Sequence, residues 1–292
     1  MLAPLGAIAF TLLVSSLLVL WAGAPLGRTY ALLFNGGFGS IFALSETLTR
    51  ATPLIFTGLA ATVAFKARLY NIGAEGQLYA GALAAVAVGG LHGGDGFALP
   101  FWLLFIMMLL AAALAGALLL LGPALLKAKL GVDEVVTTLL LNFIMLLFVS
   151  LMLDGPMKDP SAMGWPQSVT LHSELELSKL IAQTRVHTGL LWACGLAGAI
   201  EVAGRTSYVT LDMSPGYGYT GIVIAMVAAL NPLGVVAAAV FVAGVLVGAD
   251  TMSRAVGVPT YIADVIVAAS LISVLVATLL TQYRLVGRVH AK

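Results

Sequence analysis

Carboxylates and amides are scarce in this sequence, and those that interrupt its apolar runs are clustered. The densest set is Arg68-Leu-Tyr-Asn-Ile-Gly-Ala-Glu-Gly-Gln77, with Lys66 just before it and a long apolar run after it. Asn71, Glu75 and Gln77 bring one carboxylate and two amides to the mouth of a hydrophobic segment. Lipid can satisfy none of them, so they must face a bundle interior or a water-filled path. Gly73 and Gly76 let another backbone approach closely beside them. Two roles are open to this set. One is a gate or pathway-lining element. The other is a helix start in which Asn71 is the cap and Glu75 is neutralised by Arg68 or by the helix dipole.

A second set is Glu134, Thr138 and Asn142, at i, i+4 and i+8, so they lie on one helical stripe that Met145 continues. Each can hold a neighbouring helix, at about 0.6–2 kcal/mol per hydrogen bond, or touch a passing solute. Asn142, the deepest, is the preferred pathway residue, with Thr138 one turn before it. The third set is Gly216-Tyr-Gly-Tyr-Thr-Gly221, which opens a short apolar run ended by Asn231-Pro232. A broken helix at membrane depth lines a cavity or is buried in protein. Tyr217 and Tyr219 could stack a planar ligand such as a nucleobase, or belong to an interfacial belt.

Other chemistries find no support. No G-x-x-x-x-G-K-[ST] phosphate loop is present, so nucleotide hydrolysis is not assigned to this chain. His92, His172, His187 and His290 are scattered, which gives no metal site and no Ser-His-acid set. No catalytic residue and no bound cofactor are therefore expected. The single cysteine, Cys194, allows no internal disulfide. A net charge of +1 points to no nucleic acid.

The elements that position these sets are membrane helices. The chain is 61% hydrophobic and 9% charged, with mean hydropathy +1.06, against roughly 25% charged residues in soluble domains. Its apolar runs are long and lack period two, which favours helices over a β-barrel. The expected fold is an all-α transmembrane bundle of roughly seven to nine membrane segments, some short or broken. The runs are Leu5–Ala24, Ala51–Phe65 with Pro53 in its first turn, Ile72–Leu91, Leu99–Leu126 and Glu134–Leu153 with Asp133 as N-cap. After the hydrophilic stretch come Thr188–Val202, Ile222–Leu230, Leu233–Ala249 and Tyr261–Leu280. Tyr30–Arg50 is too polar for a plain span and reads as an interfacial or broken helix. His92–Gly96 reads as a turn. Residues 154–186 form an external loop with a short amphipathic helix near Glu174–Ile181. Lys66/Arg68, Lys127/Lys129 and Arg284/Arg288/Lys292 mark the cytoplasmic ends.

Taken together these stretches resemble the permease subunits of bacterial ATP-binding-cassette importers for nucleosides and simple sugars, nearest the purine-nucleoside type. The resemblance rests on Ala51-Thr-Pro-Leu54, Phe65–Gln77, Glu134-Val-Val-Thr-Thr-Leu-Leu-Leu-Asn142, Gly216–Ile222 and Asn231-Pro-Leu-Gly234. Asn-Ile-Gly-Ala-Glu-Gly-Gln is the specific string. The resemblance implies one permease domain over residues 1–292 in the inner (plasma) membrane, surrounded by lipid. It also implies a second permease as a heterodimer partner, a cytoplasmic ATPase that uses the ATP, and an external substrate-binding lipoprotein. Asn71, Gly73, Glu75, Gly76 and Gln77 would form the inner mouth. Asn142, Thr138, Tyr217 and Tyr219 would line the path.

One region departs from the pattern. Similar permeases carry a span, a cytoplasmic coupling helix and another span after the external loop. Here Arg185-Val-His-Thr-Gly189 runs almost directly into Leu196-Ala-Gly-Ala-Ile-Glu-Val202. On the order of fifty residues would be missing near residues 188–196, counting two helix halves and a loop. One crossing would then be lost: either the final segments invert, placing Arg284 and Arg288 outside, or one apolar segment becomes re-entrant, with Gly216–Asn231 the natural candidate.

Overall fold

The computed structural model describes residues 2–90, 99–180, 184–185, 187–188 and 197–257, with isolated positions between 261 and 276. The apolar runs within these residues become helices: α1 (Leu2–Trp21), α2 (Leu26–Phe38), α3 (Ile41–Lys66), α4 (Ala74–Gly89), α5 (Phe101–Leu130), α6 (Glu134–Asp154), α7 (Ala197–Glu201), α8 (Tyr217–Val227) and α9 (Pro232–Val256). The expected all-α membrane bundle is what the chain forms. Among the described residues α3, α5, α6 and α9 are long and apolar enough to cross a bilayer. A fifth crossing is available if the end of α1 and α2, bent by 113° at a short break, count as one. The turn at His92–Gly96, Cys194, the tail cations and most of Tyr261–Leu280 lie outside the described residues.

The chain divides into two compact units, residues 1–47 with 241–292, and residues 48–240. In the first, α2 and α9 touch backbone to backbone. A Cβ built on Gly37 would lie 2.2 Å from Gly244 O, and one on Gly248 1.9 Å from Leu33 O. Gly244 and Gly248 are four apart on α9, the small-xxx-small pattern that lets membrane helices approach. In the second unit α4 is the centre. Its 16 residues are fewer than the roughly 20 needed to span alone, yet it is buried nearly all round and packs on α5, α6, α7 and α8. The opposite face of α5, with Trp102, Leu110, Leu114 and Leu118, is exposed, as a lipid-facing surface must be.

Several boundaries differ from the sequence expectation. Pro53 is inside α3, not in a first turn, because the helix begins at Ile41 and absorbs the polar stretch before it. Ser45, Thr47, Thr49 and Thr52 are buried, and the Ser45 and Thr52 hydroxyls donate to Phe42 O (2.7 Å) and Leu48 O (3.0 Å). Ser45 and Thr52 are thus satisfied within the helix itself, whereas the Thr47 hydroxyl donates to Gly37 O near the end of α2 (2.8 Å). The amphipathic helix near Glu174 is only one 3-10 turn, Ser173–Leu175. Leu171 and Leu175 seat against Gly89 at the end of α4. One turn brings both down, and the backbone then leaves to bond Ala203 O through Leu177 N (2.8 Å). In the same loop Asp159 accepts from the Ser161 hydroxyl (2.6 Å), the Ser161 N–H (2.8 Å) and the Gln167 amide (3.2 Å), which hold its carboxyl below the usual range. Of the run Thr188–Val202, residues 189–196 lie outside the described set; the remainder is the five-residue α7, followed by a π turn at Val202–Thr206.

Other expectations hold. Asp133 caps α6, its carboxylate accepting from Val135 N at 2.8 Å. Asn231-Pro232 does break the helix: α8 ends through left-handed Ala229 and Leu230, and Asn231 Oδ1 then caps α9, accepting from Leu233 N at 3.0 Å.

Candidate functional site

α3 ends in a reversal in which Arg68 takes the left-handed conformation (φ 59°) and Leu69 N returns to Ala64 O at 2.9 Å. This is a Schellman ending with arginine where glycine is usual. From there to Gly73 the backbone is not helical, and α4 starts only at Ala74. The missing helical hydrogen bonds are replaced by the stripe on α6. Tyr70 N donates to Glu134 Oε1 (3.2 Å), Ile72 N to Thr138 Oγ1 (3.1 Å) and Gly76 N to Asn142 Oδ1 (2.8 Å). Asn142 Nδ2 returns a bond to Ile72 O (2.9 Å). The fit is metric: four residues of helix rise about 6 Å, close to the roughly 6.6 Å of two extended residues. α4 therefore begins about two turns along α6 from Glu134, roughly 12 Å. Lys127 closes the rim, donating to Arg68 O (2.7 Å) and pairing with Glu134. That contact gathers the basic turns after α3 and α5 at one end, as their cytoplasmic assignment requires.

Asn71 does not cap α4. Its Oδ1 accepts from Gly73 N (2.8 Å), which closes a turn ahead of the helix, and its Nδ2 donates to Gln77 Oε1 (2.7 Å). Gln77 Nε2 donates in turn to Gly116 O on α5 (2.9 Å). Gly76 is required by space, since a Cβ there would sit 2.9 Å from Asn142 Oδ1.

The N-terminus of α8 meets that of α4. Gly218 N donates to Glu75 Oε2 at 2.6 Å, and Ser214 and the Gly216 N–H bond the same carboxylate. Glu75 is therefore held by α8, not by Arg68. A Cβ on Gly218 would lie 2.2 Å from Glu75 N, so only glycine allows the approach, and Gly216 takes φ +85° to turn the donors inward. The Thr57 hydroxyl of α3 donates to Tyr217 O (2.9 Å), and Asn142 Nδ2 also donates to Tyr219 Oη (3.0 Å). Tyr217 is buried, its hydroxyl accepting from Arg205, which pairs with buried Glu201. Its ring therefore packs inside the protein, whereas Tyr219 is 37% exposed.

Beside the first turns of α4 lies a cavity of about 220 Å³, lined by Phe56, Thr57, Ala74, Gln77, Gly116 and Gly198 among others. It is smaller than the roughly 300–1,000 Å³ of most small-molecule pockets. Gln77 reaches it. Thr138 and Asn142 are buried against the start of α4 and are not part of its wall. Ser214 and Tyr79 join this junction without a signal in the sequence, and Lys127, expected only as the mark of a cytoplasmic end, joins it as well. Tyr79 donates to Leu211 O and accepts from Ser214 N (3.3 Å), which ties the segment before α8 to the middle of α4. Only Lys127 left a signal, a cation seven residues before Glu134 across a glycine turn.

Comparison with known proteins agrees with this arrangement. The family described as branched-chain amino acid transport system / permease component matches residues 43–193. The chain is 30% identical, over 321 aligned residues, to the guanosine ABC transporter permease protein NupP of Bacillus subtilis, covering 92% of this chain and 91% of that one. It is 30% identical to the glucose ABC transporter permease protein TsgB13 of Haloferax volcanii (87% and 82%). It is 27% identical to the nucleoside ABC transporter permease protein NupB of Lactococcus lactis (92% and 88%). No solved structure matches the chain.

Proposed function

The chain belongs to the branched-chain amino acid transport system / permease component family, as a multi-pass inner-membrane permease subunit of an ABC importer, and on that premise we propose that it takes up nucleosides or related small polar solutes. The reading of substrate is supported by two relatives whose names specify guanosine and nucleoside, at nearly full length. The observation that carries the mechanism is the junction of α4, α6 and α8. Non-helical backbone at membrane depth is held there by side chains of another helix. Such contacts can exchange partners without unfolding a helix, which suits alternating access. The importer is completed by a cytoplasmic ATPase that uses the ATP, an external binding lipoprotein and a second permease as heterodimer partner; this subunit itself catalyses no reaction. Gln77 and Tyr219 meet the solute. Asn71, Gly73, Glu75 and Gly76 shape the inner mouth. Thr138 and Asn142 hold that mouth in register with the path, and Tyr217 packs behind it.

The test is ATP-dependent uptake of labelled guanosine in cells that co-express the partners. Uptake equal to that of a strain lacking this chain would overturn the proposal, and uptake of labelled glucose alone would move the substrate to sugars.

A second reading is a permease-derived component that no longer couples to an ATPase. It is favoured by two observations. Each relative's alignment is longer than the part of this chain that it covers, 321 positions against 92% of 292 residues for the guanosine permease. The family match also stops at residue 193, inside the join between Thr188 and Leu196. The first supports a loss of residues relative to these permeases, and the second supports its lying at that join. Affinity purification with the ATPase separates the readings: retention of the ATPase supports the importer, and its absence from an intact permease supports the second.

A further inference from the structure

Between α7 and α8 one short stretch touches two distant parts of the fold. On one side it is gripped by the polar loop that follows α6. Leu177 N donates to Ala203 O (2.8 Å), Leu171 N to Ser207 O (2.7 Å) and Ser168 N to Val209 O (3.0 Å), and the Ser207 hydroxyl donates to Glu176 (2.6 Å). The His187 ring fills the place of a side chain at Gly204, 2.4 Å from where a Cβ would be. Ala203 and Gly204 belong to the π turn Val202–Thr206, which Ser207 N closes on Val202 O (2.8 Å) from a left-handed conformation (φ 61°). On the other side the same turn carries Arg205, which pairs with buried Glu201 and donates to Tyr217 Oη at 3.2 Å. Tyr217 opens α8, and its main chain is held as well, N donating to Ser214 Oγ (3.0 Å) and O accepting from the Thr57 hydroxyl (2.9 Å). The next residue, Gly218, donates its N–H to Glu75 (2.6 Å).

We propose that Arg205 is a positioning residue for transport: through Tyr217 it sets the first turn of α8, so that an external binding protein docked on the loop after α6 moves the junction of α4 and α8. The inference rests on the reading of this chain as an importer permease whose loop meets that protein. The two-state element is the π turn. It holds one residue more than the α turn it replaces, and each residue of an α-helix turns the chain by about 100°. Closing to α register would therefore swing Arg205 off Tyr217. The loop grips two residues of that turn, Ala203 and Gly204, so a shift of the loop acts on it directly. The main chain that follows is a poorer carrier. Tyr79 Oη, on α4, pins it by donating to Leu211 O and accepting from Ser214 N (3.3 Å). The Arg205 side chain bypasses that pinned stretch. Glu201 supplies the countercharge that lets a guanidinium stand beside a buried tyrosine, and the planar fork of donors fixes its direction.

The test is hydrogen exchange of the main-chain amides of residues 217–221 in the complete importer in nanodiscs, with and without the ligand-loaded binding protein. Tyr217→Phe removes the hydroxyl and leaves the ring, the main-chain bonds and the Arg205–Glu201 pair in place. In the wild type, docking should change exchange in this stretch by about three-fold or more, the worth of one hydrogen bond. In Tyr217→Phe that response should vanish, while affinity for the binding protein stays within about two-fold and the maximal uptake rate falls about ten-fold at an unchanged half-saturating concentration. A merely structural role predicts the opposite pattern: faster exchange with and without the binding protein, and the same ratio between them. A response retained in Tyr217→Phe overturns the inference, as does docking that leaves residues 217–221 of the wild type unchanged. Loss of docking together with the response assigns the effect to misfolding and also overturns it. If Tyr217→Phe does not accumulate in membranes, Arg205→Lys, which keeps the charge beside Glu201 and loses the planar fork, is read by the same criteria. Failure of the wild type to dock the binding protein counts against the importer reading. Exchange in the purified permease then decides the role of Arg205: residues 217–221 should exchange about three- to ten-fold faster in Tyr217→Phe, and an equal rate overturns the inference.

Discussion

The contact between α2 and α9 and the junction of α4, α6 and α8 solve one problem in opposite ways. Lipid tails are as apolar as leucine, so helices in a bilayer gain little from burying apolar surface against each other. α2 and α9 are joined by removing side chains: Gly37, Gly244 and Gly248 bring backbone onto backbone. Around α4 the joining is done by adding polar ones: Glu134, Thr138, Asn142 and Glu75 each bond a main-chain group of another segment. The difference follows from the state of the backbone. α2 and α9 are continuous where they touch, and a carbonyl left free there by the last turn of α2, Gly37 O, is met by the Thr47 hydroxyl at 2.8 Å. The approach to α4 and the start of α8 are not continuous, and every free N–H in a bilayer must find an acceptor. The polar contacts therefore mark where the fold is broken, and a broken element is one that can move.

Substitutions can break this comparison, and the largest effect is expected on the glycine side. Gly248→Leu cannot be accommodated without parting α2 from α9, and should cost about 4 kcal/mol or more, seen as loss of a monodisperse peak in detergent. A normal profile would show that the glycines are not the join. Next is Asn142→Leu, which leaves Gly76 N and Ile72 O without partners in a buried place, a loss of about 3 kcal/mol. Thermal unfolding in detergent measures it, and uptake should fall with it. Near-normal stability with lost uptake would instead make Asn142 a solute contact and not a strut.

His187, in the polar loop, tests whether the same rule holds outside the spans. Its ring is buried against Gly204, its Nδ1 has no partner, and burial pushes its pKa down to about 4. The folded protein therefore binds fewer protons than the unfolded chain between about pH 6.5 and 4. Stability should fall across that window as the pH is lowered, by about 3 kcal/mol, and level off below it. His187→Gln should flatten that part of the stability profile; an unchanged slope would place the titration elsewhere. The smallest effect is expected from Thr138→Val, about 1 kcal/mol for one lost hydrogen bond to Ile72 N. An effect equal to that of Asn142→Leu would mean that the stripe acts as a unit.

Much of this was legible in the residues. The apolar runs placed α6 to within a residue and α5 to within four, Asp133 capped as its position suggested, and the i, i+4, i+8 stripe was visible as such. What the stripe holds was not legible. The pairing of Glu134 with Tyr70, or of Asn142 with Gly76, joins positions more than sixty residues apart, and nothing local encodes it. The α3 boundary was hidden for a different reason. Ser45, Thr47 and Thr49 read as too polar for a plain span until their burial is seen. Likewise Arg68 carries no glycine to announce a left-handed turn, and Ser214, a partner of Glu75, lies in a stretch whose composition suggests only a loop.

The long reach of those contacts has a consequence for biosynthesis. When α4 leaves the ribosome, Tyr70 N, Ile72 N and Gly76 N have no acceptors, because α6 has yet to be made. The Glu75 carboxylate waits longer still, for Gly218, which lies 143 residues downstream. An α3–α4 hairpin released into lipid on its own would expose all of these groups. The first half of this chain must then remain sheltered by the insertion machinery until α6 arrives, so α6 sets the earliest moment at which α4 can be handed to the bilayer.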